Sequence, residues 1–304
     1  MRKFLAILAA VLTAQSAFGA VYRLTETVDL KPQPDARLVE LWIPVPYQNR
    51  WQKLKELKVE APEGFILKKG EEYGNSYLYL RWEGPLKRPV RVRVTAVVER
   101  SEVSPTKRDC PVPPRYYLSD RLVPVEKFKE LARQITAGKK TDLEKLRAIY
   151  NYVVTHMKYD KSGKGWGRGD AVWACDAKRG NCTDFHSLFI ALCRAVGIPA
   201  VFEIGIPVNR SGLVKGYHCW VLAFPKGYVY GIDASEAAKN PRKRDYYFGH
   251  LDDHRIGMTR GRDLLLNPPQ HGDRLNYMYK AYEEVDLHPA PTGVKTYFFV
   301  EKLR

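Results

Sequence analysis

The sequence is poor in the features that mark several large classes of protein. Its one sustained apolar run, Phe4 to Leu12, is far short of the roughly 20 residues that cross a bilayer, so a polytopic membrane protein is excluded. No internal repeat is present, which removes solenoids and propellers. No Cys-x-x-Cys or His-Glu-x-x-His spacing occurs, and the glycine-rich stretch Gly163 to Gly169 lacks the Gly-Lys-Ser/Thr ending of a phosphate loop. No metal and no cofactor is therefore expected. Cys175, Cys182 and His186 are too irregularly placed for a zinc site, and Asp252-Asp253-His254 reads as a solvated turn. Lysine and arginine are scattered in small clusters such as Arg242-Lys243-Arg244, with no interleaved aromatic module, so no nucleic acid partner is expected.

What is present is a globular composition, with 45% hydrophobic and 12% aromatic residues, and a formal charge of +16. Arg2 and Lys3, the apolar run and then Ala17-Phe18-Gly19 have the order of a secretory signal peptide, so residues 1–19 are expected to be a leader and the protein to be exported, periplasmic or extracellular. In that setting a basic surface meets anionic envelope polymers or lipid head groups by non-specific attraction. The cysteines number five, at positions 110, 175, 182, 193 and 219, and an odd number in an oxidising compartment leaves at least one thiol unpaired. Cys110 and Cys175, both in loop-like stretches, are the more plausible pair for a bridge.

Hydrophobic periodicity divides the chain. From residue 20 to 103, short runs alternate apolar and polar residues between breakers such as Pro44, Pro62 and Pro85, which predicts about six strands in an all-β sandwich. Residues 104–118, with Pro105, Pro111, Pro113 and Pro114, read as a linker. Beyond it, apolar spacings of three and four predict helices over 125–136 and 142–157, the second opened by a Thr141/Glu144 capping box, and a third over 183–196. The glycines between 162 and 180 predict a long loop. Period-two runs over 200–206, 217–224 and 228–233 return the chain to strands, so residues 119–304 are expected to be an α+β domain with an antiparallel sheet, a core over 125–240 and a tail of extra strands over 245–304.

Chemistry concentrates at Arg179-Gly180-Asn181-Cys182-Thr183-Asp184, a glycine-led turn delivering a cysteine to the first turn of an apolar helix. Unpaired amides and the positive end of the helix dipole there favour a thiolate and can hold an oxyanion. His218, in a strand flanked by Tyr217 and Trp220, is the candidate base, and Asp233 at the end of the next strand can orient its far ring nitrogen. Cys193, and Cys219 on the strand face opposite His218, read as core thiols.

These segments resemble the transglutaminase-like superfamily of papain-type Cys-His-Asp proteins, including its exported bacterial members. The resemblance rests on Gly180-x-Cys182 with Leu188-Phe189 and Arg194 to Ala200 behind it, on His218-Cys219-Trp220, on Asp233-Ala234-Ser235 and on His156 to Asp160. It implies a papain-like α+β domain, a Cys182–His218–Asp233 triad and a thioester acyl-enzyme. It also implies an upstream second oxyanion donor, for which Tyr159, Trp166 and Trp173 are candidates. Hydrolysis of a peptide or amide is expected over cross-linking, the substrate being a peptide or protein such as an envelope protein or a peptidoglycan stem peptide. The rival expectation is a non-catalytic envelope-binding scaffold that keeps the fold.

Overall fold

The computed structural model describes residues 19–62 and 64–304; the leader expected at the N-terminus falls almost wholly outside them. Strands outnumber helices. Six strands arise before residue 103, as the alternation predicts, and they distribute into two antiparallel sheets packed as a sandwich. One sheet places Ala20–Leu30 between Val90–Arg100 and the C-terminal Val294–Lys302. The other places Leu38–Val45 between Ser76–Glu83 and Tyr282–Val285. Val28, Leu30, Val92 and Val94 from the first meet Leu41, Ile43, Leu78 and Leu80 from the second.

The tail therefore does not sit where the sequence division puts it. Of the strands after residue 245, Arg255–Arg260 joins the sheet of the α+β part, but Tyr282–Val285 and Val294–Lys302 complete the two sheets of the sandwich. Polar and apolar alternation announces a strand without naming its partner. Within that tail, the residue run 275–285, which the sequence offers as one of its clearest strands, is strand only over its last four residues, Tyr282–Val285.

Between these two contributions lies the α+β part. Its antiparallel sheet runs in the order Phe248–Gly249, Tyr228–Ile232, His218–Ala223, Ala200–Pro207, Arg255–Arg260. The helices are α1 (Lys129–Ile135), α2 (Asp142–His156), α3 (Ala171–Ala177), α4 (Cys182–Ala195) and α5 (Ala234–Lys239). Helix α2 carries the expected capping box, with Thr141 accepting from the Glu144 amide and the Glu144 carboxylate accepting from the Thr141 amide. The first predicted helix begins as a 3-10 turn, Val125–Phe128, before α1. Helix α3 interrupts the stretch expected to be all loop: Asp170 caps it by accepting from the amides of Val172 and Trp173, a local signal that the surrounding glycines obscure. Helix α5 was likewise hidden, being only six residues long.

Alternation along His218–Ala223 explains how the sheet is held. Cys219, Val221 and Ala223 pack on Phe185, Leu188 and Leu192 of α4, while Trp220 and Leu222 face Trp42, Tyr77 and Tyr79 of the sandwich. Helix α4 is thus enclosed by α2, α3, α5 and the sheet, and thirteen of its residues are buried. The helix that presents Cys182 is consequently held from several sides. Among the described residues, no helix is long and apolar enough to cross a membrane. All five cysteines are free thiols, so Cys110 and Cys175 are not bridged.

Candidate active site

Cys182 opens α4, and the turn before it is built to leave no slack. Asn181 caps the helix by accepting from the Thr183 amide at 2.9 Å, and Asp184 returns to accept from the Asn181 amide at 2.9 Å. The same Asp184 carboxylate accepts from the amides of Gly167 at 2.7 Å and Gly169 at 2.9 Å, tying the glycine loop to the helix start. Gly180 stands at φ +148°, and a Cβ there would lie 2.4 Å from Asp184 Oδ2, so glycine is required for the turn and the carboxylate to coexist. The Cys182 amide, in the first helical turn, is one of the donors with no partner inside the helix.

His218 begins its strand and Asp233 follows the end of the neighbouring one. His218 Nε2 lies 2.7 Å from Asp233 Oδ2, which leaves Nδ1 as the ring nitrogen available to the sulfur. Asp233 is fully enclosed and heavily used. Arg255 donates to Oδ2 at 3.0 Å, while the Ser235 hydroxyl and the Glu236 amide each donate to Oδ1 at 3.0 Å, the last contact capping α5. Cys182 is 2% exposed, and the His218 side chain retains 12%.

The electrostatics favour a charged sulfur. A hydrogen bond from Cys219 holds the Cys182 thiol well below its usual range; burial opposes this, and the charge and hydrogen bond of His218 outweigh it, with His186 adding to the same effect. His218 is subject to burial, which disfavours its charge, but Asp233 and Cys182 override that and push it up to about 10. Burial alone would raise the Asp233 carboxyl, yet His218, His186 and Arg255 hold it well below the ordinary carboxylate range. A thiolate, an imidazolium and a carboxylate are the mutually consistent charge states.

The structure brings Cys182, His218 and Asp233 together, and it adds three residues the sequence reading did not place here. Cys219 is buried as expected, but it lies on the α4 side against Cys182. Because His218 is the first residue of its strand and turns toward the sulfur, alternation does not separate the two side chains. His186, one turn after Cys182, puts Nδ1 3.4 Å from Cys219 Sγ and Nε2 3.5 Å from Asp233 Oδ1. Arg255 reaches in from the far edge of the sheet. It also pairs with Asp252 at 2.9 Å, so that carboxylate is an ion-pair partner and not a solvated turn residue. A signal for His186 existed in its i, i+4 spacing from Cys182; none existed for Arg255.

Of the three upstream aromatics, Tyr159 borders the site. Its ring lies 6.2 Å from Phe185, and burial with the nearby Cys182 charge raises its hydroxyl well above the ordinary range. Trp173 lies against Gly165, and Arg179 stands 5.9 Å from its ring; Trp166 is approached by Lys161 at 5.9 Å. Both tryptophans belong to the walls of the glycine loop. Tyr217, which the sequence suggested only as a flank of His218, accepts from Asn181 Nδ2 at 3.1 Å and is likewise raised by burial and the Cys182 charge. A cavity of about 410 Å³ lined by Trp51, Tyr116, Leu222 and Phe224 opens on the opposite face of the sheet, so it does not serve this sulfur.

Comparison with known proteins bears on the family and the fold. Residues 129–230 match the family model described as the transglutaminase-like superfamily. A protein of Haemophilus influenzae of uncharacterised function is 26% identical over 322 residues, covering 88% of this chain and 87% of its own length. Among solved structures, a candidate cysteine protease of Cytophaga hutchinsonii superposes with a TM-score of 0.60 at 15% identity, covering 93% of this chain and 91% of that one. That likeness extends over the sandwich as well as the α+β part and concerns the fold.

Proposed function

We propose, from the match of residues 129–230 to the transglutaminase-like superfamily, that the chain is an exported thiol acyl-transfer enzyme in which Cys182, His218 and Asp233 act together on amide or peptide carbonyls. The observation that carries the reading is the buried His218–Asp233 contact of 2.7 Å beside a sulfur whose proton is held weakly at a helix start.

In this mechanism the Cys182 thiolate adds to the carbonyl carbon, and the oxyanion is received by the Cys182 amide and a second donor, for which Tyr159 is the best placed of the three candidates. His218 gives its Nδ1 proton to the departing amine as the C–N bond breaks, leaving a thioester. The neutral imidazole then removes a proton from water, the hydroxide equivalent attacks the thioester, and the carboxylate product and Cys182 thiolate are released. Asp233 keeps the ring oriented and its charged form stabilised throughout. Hydrolysis is the outcome proposed, because Cys182 is only 2% exposed and water is the smallest acceptor for the thioester. An exported basic protein acting on peptides fits an envelope protein or a peptidoglycan stem peptide as substrate.

The test is to supply glutamine-containing and stem peptides, with and without a lysine donor, to the protein and to its Cys182→Ser variant. Release of ammonia or cleaved peptide by the parent alone, unaffected by the donor, is the expected result. A covalent peptide–lysine product would replace hydrolysis by transamidation. Equal inertness of parent and variant toward all peptides, together with a Cys182 alkylation rate no greater than a free thiol's, would remove the enzyme reading.

A further inference from the structure

On the sandwich, remote from Cys182, two glutamates face one another across neighbouring strands. Glu40 on Leu38–Val45 is in register with Glu284 on Tyr282–Val285. They are 5% and 1% exposed. Like charges directly opposite each other destabilise a sheet, and burying them adds the cost of lost hydration. Arg81, which stands across from Glu40 on the other neighbouring strand, turns away to pair with Glu83. Among the described residues, the base that reaches the pair is His271, whose Nε2 lies 3.2 Å from Glu40 Oε2.

We propose that Glu40, His271 and Glu284 bind one divalent transition-metal ion of the zinc class. Each offers a ligand atom, and the three atoms lie within 4.8 Å of one another. Glu40 Oε2 is buried and, apart from the His271 ring 3.2 Å away, has no partner of its own. The other carboxylate oxygens are already oriented from behind: Tyr79 donates to Glu40 Oε1 at 2.6 Å and Tyr282 to Glu284 Oε1 at 2.7 Å. The amides of His271 and Gly272 donate to the two oxygens of Glu284 at 2.9 and 2.8 Å. Donors of this kind fix ligands in place around a metal. Gly272 makes that approach feasible, since a Cβ there would lie 3.2 Å from Glu284 Oε1 and 2.7 Å from Pro289.

The donor set selects the ion. Calcium takes six to eight oxygens, which three residues with one imidazole do not supply, whereas zinc accepts one nitrogen and two carboxylates with a position left over. Two carboxylates and a neutral imidazole balance a dication. His271 is 44% exposed, which provides an entry path and a place for water as the remaining ligand.

The experiment uses the chain with Cys182→Ser, so that the thiolate beside His218 does not take up metal. Zn²⁺ is titrated calorimetrically into this parent, into the same protein with His271→Ala and into that with Glu40→Gln, and the Tm of each is read with and without the ion. Expected are one equivalent bound by the parent with a rise in Tm, no such binding or rise with His271→Ala, and an affinity lower by at least ~10-fold with Glu40→Gln. Because His271 is half exposed, its replacement leaves the fold intact and the metal-free Tm close to the parent's. Absence of zinc binding by the parent would overturn the proposal and leave His271 as a contact of Glu40 alone. Unchanged stoichiometry and affinity after His271→Ala would overturn it equally.

Discussion

Asp233 answers to three elements at once: it receives His218, it receives Arg255 from the sheet edge, and it caps α5 through the Glu236 amide. A carboxylate so committed has one rotamer and one charge, and its charge sets the pH range of the neighbouring sulfur. Because Cys182 is held well below its usual range and His218 is pushed up to about 10, alkylation of the parent is expected to be already fast in mildly acidic solution and flat through neutrality. Turnover is expected to fall above about 10, where the imidazolium loses the proton it must donate. With Asp233→Asn, His218 loses its main source of positive bias, so the onset of alkylation shifts to higher pH. Iodoacetamide rates measured across pH on both proteins check this; coincident profiles would deny Asp233 that influence.

At this scale Cys182, His218 and Asp233 could be singled out from sequence because each sits beside a local marker: a Gly-led helix start, an aromatic-flanked strand, a strand end. His186 was legible only through its i, i+4 spacing from Cys182, and Cys219 and Arg255 were not legible as neighbours of the sulfur. Strand alternation assigns Cys219 to the other face, and that inference fails where the strand has only just begun at His218. Arg255 arrives through a sheet order, with Arg255–Arg260 beside Ala200–Pro207, that no local pattern encodes.

The element that matters most is α4 together with the turn preceding it. Apolar spacing and the Gly197–Pro199 stop made the helix legible to within a residue at each end, because its buried face is continuous. The glycine loop was legible only as irregular. What orders it is one carboxylate, Asp184, accepting from three backbone amides. Gly180→Ala places a methyl group within the van der Waals radius of that carboxylate and imposes a positive φ on a residue with a Cβ. The expected cost is about 2 kcal/mol or more by denaturant melt, with slower alkylation of Cys182 as the turn relaxes. A variant as stable and as reactive as the parent would show that the turn tolerates displacement.

Across the whole molecule, the two-part division by periodicity described the kinds of element and misplaced their partners. Pairing between residues far apart in sequence leaves no trace in local alternation, so Val294–Lys302 read as a tail of the second part although it pairs along its length with Ala20–Leu30. The parts are further joined by Glu203, which accepts from Tyr47 of the sandwich at 2.8 Å, from Trp220 at 2.6 Å and from Arg260 at 3.0 Å. A fragment of residues 119–304 would expose Trp220, Leu222 and Val201, along with two strands each stripped of its longer partner. It is expected to aggregate, whereas the chain from residue 20 onward melts in one transition; gel filtration and circular dichroism distinguish the two. A soluble, cooperatively folded fragment would restore the independent domain.

The pairing of Leu30 with Val294 has a temporal consequence. A strand made early waits, with one side unsatisfied, until a segment made at the far end of translation arrives to cover it. Contacts of such long range form late and slowly. Closure of that sheet therefore belongs to the last stretch of chain to be made, and whatever the sandwich supports is assembled only after it.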